Sequence, residues 1–571
     1  MTEKLIPQPY KYLPADLDIS SLAALQNFIH SLMQPAPASP DELITLMEKY
    51  SSVSRAVSDE MTWRYIRMTV HADDESYEQA YNDYYSQVVA PLEPLSFELK
   101  KLFYASPHRA ALSEEKYAHL NRMIARDIEL FREENVPLKI QESELANKYG
   151  GFVSKMTAEF EGREQTVAQL SVYQKDPDRT KREAAWRLRV GCFAAREKEL
   201  NELYDELRGI RTKIAANAGF SNYRDYMHAE MGRFSYTPED LYTFHDAVEK
   251  VVVPFVKDLD SHRRQMLKLE TLRPWDTVVD LDGRKLKPFE TTQEFIAKSA
   301  KTLNRVDPNY ARQLQLMDNT GLLDLENRKG KAPGGYNSSL SNLGSSFIFM
   351  NHVKLHNDVV TLLHESGHAM HAAAMKDIPL SQYCETPSEV AELASMSMEL
   401  LSMDSWDEFY TDAADLKKAK KEQLEGTLSF LPWCMTVDAF QHWVYLHPEH
   451  NAEERKKAFL QTSARFSSDI DWSGLEEFKH LRWLMQLHIF EVPFYYIEYG
   501  MAQLGALSIY LNYRRDRVRA LRQYQDFLNL GYTRPVNEIY KAAGIEFDFS
   551  EARIRELVDF VKAELAEIAK I

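Results

Sequence analysis

Apolar residues recur at intervals of three and four along most of the 571-residue chain. Residues 113–134 and 178–215 are two long examples, and Ser113 is suitably placed to cap the first. This spacing is the periodicity of amphipathic helices. Glycine and proline seldom interrupt it, and residues 34–40, with three prolines, predict a short linker between early helices. The pattern therefore predicts an almost wholly α-helical protein.

Two regions depart from the helical pattern. Residues 272–289 contain short strand-like pieces around the turn dipeptide Asp282-Gly283, and residues 329–349 contain the pair Gly334-Gly335 and end in an apolar run. We predict a small β-sheet here. An edge strand of such a sheet offers unpaired N–H and C=O groups to an extended peptide, and a plain surface hairpin is the alternative.

The amino-acid composition argues against several classes of protein. Lys and Arg number 69 against 86 Asp and Glu, which gives a net charge of −17 and argues against a nucleic-acid partner. The three cysteines are scattered and predict no disulfide framework. No apolar run is long enough to span a bilayer, and the opening residues lack the pattern of a signal peptide. We expect a cytoplasmic protein without a membrane partner.

The clearest chemistry lies in the pattern H-E-x-x-H formed by His364, Glu365 and His368. These residues fall within residues 357–375, a proline-free stretch of good helix formers. Residues four apart lie on one face of a helix, so the two imidazoles can bind one zinc ion. The Glu between them then reaches water on the metal as a general base. The pattern predicts a site for a single zinc ion.

Two helix starts are predicted around this site. Asn357 is a candidate N-cap, with Asp358 in the first turn, where a negative charge suits the helix dipole. Thr386 is a candidate N-cap for the next helix, with Pro387 at its first position and Glu389 closing a capping box.

A catalytic zinc site needs a third protein ligand and one open position. A Glu on the following helix commonly supplies that ligand in thermolysin-type sites. The candidates are Glu385, Glu389, Glu392 and Glu399. We predict Glu392 and keep Glu389 as the alternative, while Glu399 lies on the same face and is placed to orient a ligand or to support His371. His371 shares a stripe with His364, and we expect it to pack or hydrogen-bond outside the ligand set.

Aromatic residues are concentrated between residues 488 and 500, which include His488, Tyr495, Tyr496 and Tyr499. A hydroxyl near the zinc site would polarise a substrate carbonyl, and one such donor is worth about 10²–10³ in rate. An aromatic core helix is the alternative, because aromatic runs are usually buried.

These motifs, taken in order, resemble the thimet oligopeptidase and oligoendopeptidase F family of zinc metallopeptidases. The resemblance is closest to the bacterial oligoendopeptidase F branch, which includes the Pz-peptidase type. The residues that carry it are 334–336, 364–371, 387–399 and 488–499. It is strongest between about residues 272 and 507.

The resemblance implies an all-α fold with two helical lobes around a deep substrate channel and a small sheet beside the zinc helix. It divides the chain into an N-terminal lobe, residues 1–160, and a catalytic domain, residues 161–571. It implies zinc-dependent cleavage inside short, unstructured peptides.

Site residues follow from the same resemblance. The metal ligands are His364, His368 and Glu392. Catalytic roles fall to Glu365, His488, Tyr496 and Tyr499, with Tyr496 assigned to the carbonyl. Substrate contacts fall to Gly334, Gly335, Tyr336 and Tyr495.

Two other functions fit parts of the pattern. One is a peptidyl-dipeptidase or carboxypeptidase on a similar helical fold, which requires a cation to hold the C-terminal carboxylate of the peptide. The other is a non-catalytic peptide-binding protein with a structural zinc ion, although such zinc sites are usually closed and Cys-rich. The sequence carries no signal for the oligomeric state.

Overall fold

A computed structural model describes residues 3–570. It is 69% helical and 5% strand, which confirms the all-α class. The α-helices are α1 (Leu22–Leu32), α2 (Pro40–Val70), α3 (Glu75–Tyr84), α4 (Ala90–Ala105), α5 (Glu114–Leu130), α6 (Asn135–Ser154), α7 (Val167–Val172), α8 (Arg179–Ala194), α9 (Glu197–Asn217), α10 (Tyr223–Glu230), α11 (Pro238–Ala247), α12 (Val253–Met266), α13 (Thr292–Val306), α14 (Pro308–Thr320), α15 (His356–Ala374), α16 (Ser388–Ser402), α17 (Ala413–Ser429), α18 (Leu431–Leu446), α19 (Ala452–Arg465), α20 (Glu476–Lys479), α21 (Leu487–Glu491), α22 (Tyr496–Arg515), α23 (Arg517–Leu528), α24 (Val536–Ala542) and α25 (Glu551–Ile568). No helix among residues 3–570 combines the length and the apolar character that crossing a bilayer requires.

Two of the predicted helix starts are confirmed. Helix α5 begins directly after Ser113, and α8 begins after Asp178, whose side chain accepts a hydrogen bond from the N–H of Thr180. The proline-rich linker separates α1 from α2 as predicted. The long helical stretch 178–215 is divided into α8 and α9.

Five short strands form two separate sheets. Strands β1 (Thr157–Phe160) and β2 (Arg163–Thr166) make an antiparallel hairpin. Strands β3 (Leu323–Glu326), β4 (Tyr336–Leu340) and β5 (Ser345–His352) form a sheet in the order β3-β5-β4. Strand β5 is antiparallel to β4, parallel to β3, largely buried, and packed against α15. The prediction of a small sheet beside the zinc helix is therefore confirmed.

The strand-like pieces predicted in residues 272–289 are wrong, since this segment contains no strand of either sheet. A single 3₁₀ turn, Pro274–Asp276, lies there instead. The buried Asp276 carboxylate binds Arg179 at 2.8 Å and Arg182 at 2.9 Å, and these ion pairs hold the segment in an irregular conformation. Gly283 has φ = +67°, and the residues on either side of Asp282-Gly283 form loops.

The chain divides into two compact units, each discontinuous in sequence. The first comprises residues up to Glu129, Leu286–Lys420 and Gly505–Phe547. The second comprises Leu130–Lys285, Lys421–Leu504 and the residues from Asp548 onward. These units do not follow the division at residue 160, which stays a prediction about domain organisation.

The two units contain different elements. The first contains α15, α16 and the three-stranded sheet. The core of the second is aromatic, where Trp483 stacks on Phe490 at 5.6 Å between ring centroids and Phe490 stacks on Tyr149 at 4.4 Å. Candidate site residues occur in both units, and each set is described separately below.

Candidate functional site

Helix α15 begins at His356, so the predicted N-cap at Asn357 is wrong. The carboxylate of Asp358 accepts hydrogen bonds from the main-chain N–H groups of Leu355 at 2.7 Å and Val353 at 2.9 Å. These bonds fix the chain as it enters the helix, and they place a negative charge in the first turn as predicted. The Asp358 side chain, which lies within the first turn, therefore takes the role expected of an N-cap residue.

The structure brings His364, His368 and Glu392 together in the first unit. One ligand atom from each lies within 4.8 Å of the others, and no other His, Cys, Asp or Glu of residues 3–570 joins the group. Nε2 of His364 lies 3.3 Å from Oε2 of Glu392, and Nε2 of His368 lies 3.6 Å from the same oxygen. The two helices α15 and α16 supply all three side chains.

This donor set fits a zinc ion. Zinc bonds of about 2.0–2.1 Å in a tetrahedron place neighbouring ligand atoms roughly 3.3 Å apart. The two separations at Glu392 are 3.3 and 3.6 Å, close to that value. The imidazoles also remain 22% and 19% exposed, so a fourth position can be reached from solvent. Two imidazoles and one carboxylate with an open vertex match a catalytic rather than a structural site.

Two neighbouring side chains hold the ligands in position. Nδ1 of His364 lies 2.7 Å from a carboxylate oxygen of Glu399, so the ring donates from Nδ1 and its Nε2 is the atom that faces the site. The hydroxyl of Ser395 donates to the ligand oxygen of Glu392 at 2.9 Å. Glu399 thus contacts a candidate ligand, and its role in orienting that ligand stays a prediction. Ser395 was not singled out, although it lies three residues after Glu392 on the same helix.

Close packing of α15 on α16 requires a glycine at position 367. A Cβ atom there would lie 2.6 Å from Cα of Ser395 and 2.7 Å from the main-chain oxygen of Ala394. Backbone atoms cannot yield at such distances. The glycine beside the second histidine therefore sets the helix separation that lets Glu392 reach the imidazoles.

Helix α16 begins at Ser388 with Pro387 as its N-cap residue, so the predicted capping box of Thr386 and Glu389 is wrong. Within the described chain, no side-chain hydrogen bond caps this helix. Glu389 is buried, and the hydroxyl of Tyr540 donates to its main-chain oxygen at 3.0 Å. Tertiary contacts therefore hold the first turn of α16.

Glu365 is buried on α15 between the two histidines. The side-chain amide of Asn337 on β4 donates to the main-chain oxygen of Glu365 at 3.1 Å, which ties the edge strand to α15 at this residue. Burial raises the pKa of the Glu365 carboxyl to about 7. A carboxylate with a pKa near neutrality is suited to accept and return a proton.

The titration of the three candidate ligands suits metal binding. Burial lowers the pKa of His368 to about 4, which keeps its imidazole neutral. Burial disfavours the Glu392 carboxylate, but the two imidazoles outweigh this effect and hold its pKa at about 2. Burial also disfavours charge on His364, yet its hydrogen bonds to Glu392 and Glu399 raise its pKa well above the usual value. A metal ion would displace that proton, since ligands bind deprotonated.

The predicted substrate residues Gly334, Gly335 and Tyr336 lie at the start of edge strand β4. Gly334 has φ = +97°, a conformation that favours glycine. The Tyr336 ring stacks on Phe349 with centroids 4.8 Å apart, and its hydroxyl hydrogen-bonds Thr69 at 2.6 Å. Tyr336 therefore has a clear structural role, and its contact with substrate stays a prediction.

The aromatic segment belongs to the second unit and consists of two helices joined by a turn. Helix α21 ends at Glu491 and α22 begins at Tyr496. Phe494, in the turn, has φ = +67°, a strained value for a bulky residue. Its main-chain N–H binds Gln441 at 2.9 Å and its oxygen accepts from Arg233 at 2.6 Å, and these bonds hold the turn.

The predicted substrate residues of this segment form one cluster of rings. The His488 ring lies 4.8 Å from that of Tyr496 and 6.1 Å from those of Tyr495 and Tyr499, measured between centroids. The single core helix that was the alternative for this segment is not present, because the turn redirects the chain. The hydroxyl of Tyr496 makes no hydrogen bond to any residue from 3 to 570, and burial raises its pKa.

The tautomer of His488 follows from its neighbours. The indole N–H of Trp433 can only donate, so the atom of Gln486 that it meets at 2.8 Å must be the amide oxygen. The amide nitrogen of Gln486 then faces Nδ1 of His488 at 2.7 Å and donates to it. Burial lowers the pKa of His488, so the ring is neutral and carries its proton on Nε2. Gln486 was not singled out in the sequence, and it lies only two residues before His488.

His371 lies outside the metal group, as predicted. It is buried at the end of α15, its Nε2 has no hydrogen-bond partner within residues 3–570, and its ring lies 6.0 Å from Phe527. Burial lowers its pKa to about 3, so the ring is neutral. It packs as a core residue.

Comparison with known proteins agrees with this architecture. Residues 172–559 match the peptidase family M3 domain, and residues 14–131 match the peptidase M3 N-terminal domain. An oligoendopeptidase F homolog of Borreliella burgdorferi is 26% identical over 328 residues, which are 56% of this chain and 54% of that protein. A homolog from Lactococcus lactis subsp. lactis is 20% identical over 92% of this chain and 91% of its own.

A solved structure of Pz peptidase A with an inhibitor is 27% identical to this chain. The match has a TM-score of 0.88 and covers 98% of this chain and 99% of that one. The resemblance predicted from the motifs is therefore confirmed, and the activity at its coarsest level is that of a peptidase. The chain belongs to peptidase family M3.

Proposed function

We propose that the protein is a zinc-dependent endopeptidase that hydrolyses internal bonds of short, unstructured peptides. The observation that carries this proposal is the convergence of His364, His368 and Glu392 at separations suited to one tetrahedral ion, with Glu365 between the two histidines. The fitting donor set supports zinc as the cofactor.

A zinc ion held by such a set supplies Lewis acidity, which lowers the pKa of a water molecule to about 7 and polarises a carbonyl group. Glu365 acts as the general base that accepts a proton from the attacking water. It later donates that proton to the leaving amine. A carboxyl with a pKa of about 7 can perform both transfers near neutral pH.

Negative charge that develops on the carbonyl oxygen requires hydrogen-bond donors. We assign this role first to Tyr496, whose hydroxyl is unengaged within the described chain, and assign Tyr499 a supporting role. His488 carries its proton on Nε2 and can donate to a substrate carbonyl. Tyr495 would contact the substrate through its ring.

The edge strand β4 supports the substrate class. Its main chain lies at the margin of the sheet, and Asn337 ties it to α15 at Glu365. An extended peptide that pairs with β4 would present a backbone carbonyl near the general base. A folded protein would first have to unfold at a cost of about 5–15 kcal/mol, so short flexible peptides are the better substrates. The deep channel implied by the resemblance remains a prediction.

We also propose a cytoplasmic location. The cysteines Cys192, Cys384 and Cys434 are all free, which suits a reducing compartment.

A quenched-fluorescent peptide assay tests the proposal. The wild type should cleave an internal bond, and Glu365→Gln should retain zinc by elemental analysis yet lose about 10²–10⁴-fold in turnover, the contribution of a general base. Equal rates for the two proteins would contradict the proposal. Amidation of the peptide C-terminus should leave the rate unchanged, whereas an exopeptidase would lose activity.

A further inference from the structure

A second chemical site lies in the second unit, in a cavity of about 360 Å³. Aromatic and hydroxyl side chains form much of its wall, including Trp186, Trp433 and Trp472. Two arginines, Arg189 and Arg482, also line it, and no Asp or Glu does. The cavity therefore carries a local charge opposite in sign to the −17 of the whole chain.

Arg482 has no anionic partner. Within residues 3–570 its guanidinium makes no ion pair or hydrogen bond, and its one described contact is the face of Trp433, 4.3 Å from the ring centroid. Burial lowers the pKa of this guanidinium to about 10, and no carboxylate opposes the effect. Lys479, one turn earlier, adds further positive charge nearby, since burial and the charge of Arg482 both lower the pKa of the Lys479 ammonium.

Arg189 differs from the other arginines of its own helix. On α8, Arg179 and Arg182 bind Asp276, and Arg187 binds Glu183 at 2.8 Å. Among residues 3–570, Arg189 binds no carboxylate, and its one hydrogen bond goes to the sulfur of Met485 at 3.7 Å. Burial lowers its pKa as well.

A third donor in the wall lacks a partner. The amide Nε2 of Gln174 is buried and makes no hydrogen bond within the described chain. Buried polar groups are nearly always satisfied, and buried charges are nearly always paired. Within the described residues, three donor groups, two of them cationic, lack an oxygen or nitrogen acceptor around one cavity without a carboxylate, which points to a missing acceptor that carries negative charge.

We propose that this cavity binds a small oxyanion, a carboxylate or phosphate group, through the guanidinium groups of Arg189 and Arg482. Guanidinium groups match the geometry of such oxygens with paired hydrogen bonds. Binding neutralises two desolvated cations and satisfies Gln174. The site is distinct from the candidate metal centre, whose residues all belong to the first unit.

The size and lining of the cavity favour a carboxylate attached to an apolar body. A volume of about 360 Å³ falls in the range of small-molecule sites and exceeds the needs of a bare inorganic ion. Three indole rings offer flat apolar surface beside the guanidinium groups. The carboxylate of an aromatic amino-acid derivative has this chemistry, and free phosphate is the other source to compare.

Tryptophan fluorescence of the full-length protein provides the assay, because Trp433 stacks on Arg482. The probes are N-acetylphenylalanine, its amide, and inorganic phosphate, all at constant ionic strength. We expect saturable binding of the acid and at least tenfold weaker binding of the amide. Tighter binding of the acid than of phosphate supports the carboxylate, and the reverse order supports a free inorganic anion at the same site.

Variants test the two arginines. Arg189→Gln with Arg482→Gln should weaken anion binding at least tenfold, whereas Arg187→Gln, the matched change at an exposed, paired arginine of α8, should leave it unchanged. Arg482→Lys keeps the charge and should bind with intermediate affinity.

Thermal unfolding gives an independent readout. The acid at saturation should raise the Tm of the wild type and not that of the double variant. Without anion, the double variant should be at least as stable as the wild type, because it no longer buries two unpaired cations. No saturable binding by any probe, or equal affinity in wild type and double variant, would overturn the proposal.

Discussion

The metal helices α15 and α16 and the aromatic segment from His488 to Tyr499 use opposite strategies to present polar groups. In the metal helices the polar atoms of His364 and Glu392 are each held by a neighbour, Glu399 or Ser395. In the aromatic segment His488 is held in this way by Gln486, whereas the hydroxyl of Tyr496 has no partner within residues 3–570.

The two arrangements suit different chemical tasks. A metal centre must be built before the ion arrives, because misplaced ligands cost affinity, so its supporting contacts lie within the protein. A hydrogen-bond donor that stabilises a transient negative charge meets its acceptor only during the reaction. A hydroxyl that has no partner before the reaction is therefore consistent with this role. Geometry alone identifies the candidate metal centre, whereas kinetic measurements are needed to establish the role of the Tyr496 hydroxyl.

The largest effect should come from Glu392→Gln. Loss of the carboxylate removes one of three ligands, so zinc content should fall to background and activity should drop by at least roughly 10³-fold, the equivalent of several kcal/mol of transition-state stabilisation. Elemental analysis and the peptide assay measure both quantities. The matched change Glu389→Gln, at the other buried Glu of the same helix, should retain the metal. The opposite result would make Glu389 the ligand.

Tyr496→Phe should have the next largest effect and tests the aromatic side of the comparison. Removal of the hydroxyl should lower kcat by about 10²–10³-fold with little change in zinc content, since the group acts on developing charge. Tyr495→Phe and Tyr499→Phe should cost less. Steady-state kinetics at several peptide concentrations separate kcat from KM. An unchanged kcat in Tyr496→Phe would return this ring to a packing role.

Glu399→Gln should have an intermediate effect. The amide can still accept from Nδ1 of His364 but no longer carries charge, so metal affinity should fall by about 10–100-fold. Competition with a zinc-binding dye gives the affinity. Excess zinc should restore most of the activity, which distinguishes this variant from Glu392→Gln. Failure of excess zinc to restore activity would imply a direct role for Glu399 in chemistry.

Gly367→Ala should give the smallest effect, on stability first. The added methyl meets backbone atoms of α16, so we expect a loss of about 1–3 kcal/mol in the free energy of unfolding and weaker zinc binding. Denaturant unfolding measures the first. Gly209→Ala on α9 is the control, because nothing lies within 4 Å of its added Cβ, and it should gain about 0.5–1 kcal/mol. Equal effects would mean that helix propensity, and not close packing, governs position 367.

Much of the local structure and the metal group could be predicted from sequence. The three- and four-residue spacing predicted the helices, and Ser113 and Asp178 marked two helix starts. Spacing on a helix also fixes the relation of His364 to His368. Glu392 could be predicted as the third ligand from its position on a helical face and from the family resemblance. The Glu392 side chain does reach the two histidines.

Other features could not be predicted because they depend on contacts between distant residues. The start of α15 depends on hydrogen bonds that the Asp358 carboxylate accepts from the N–H groups of Leu355 and Val353. A rule that considers only the N-cap residue does not predict these bonds. The loop around Asp276 depends on two arginines about 95 positions earlier in the chain. Such bonds stabilise irregular backbone that has no local periodicity to detect.

By itself, the sequence determined the helical class, the H-E-x-x-H face and the family, because these depend on the order of residues over short distances and on motif identity. Only the tertiary structure decided the separation of α15 from α16, which the bare Cα of Gly367 sets, and the tautomer of His488, which Trp433 sets through Gln486. The same holds for the two arginines without carboxylates in the cavity of the second unit, since charge neutralisation depends on which residues meet in space.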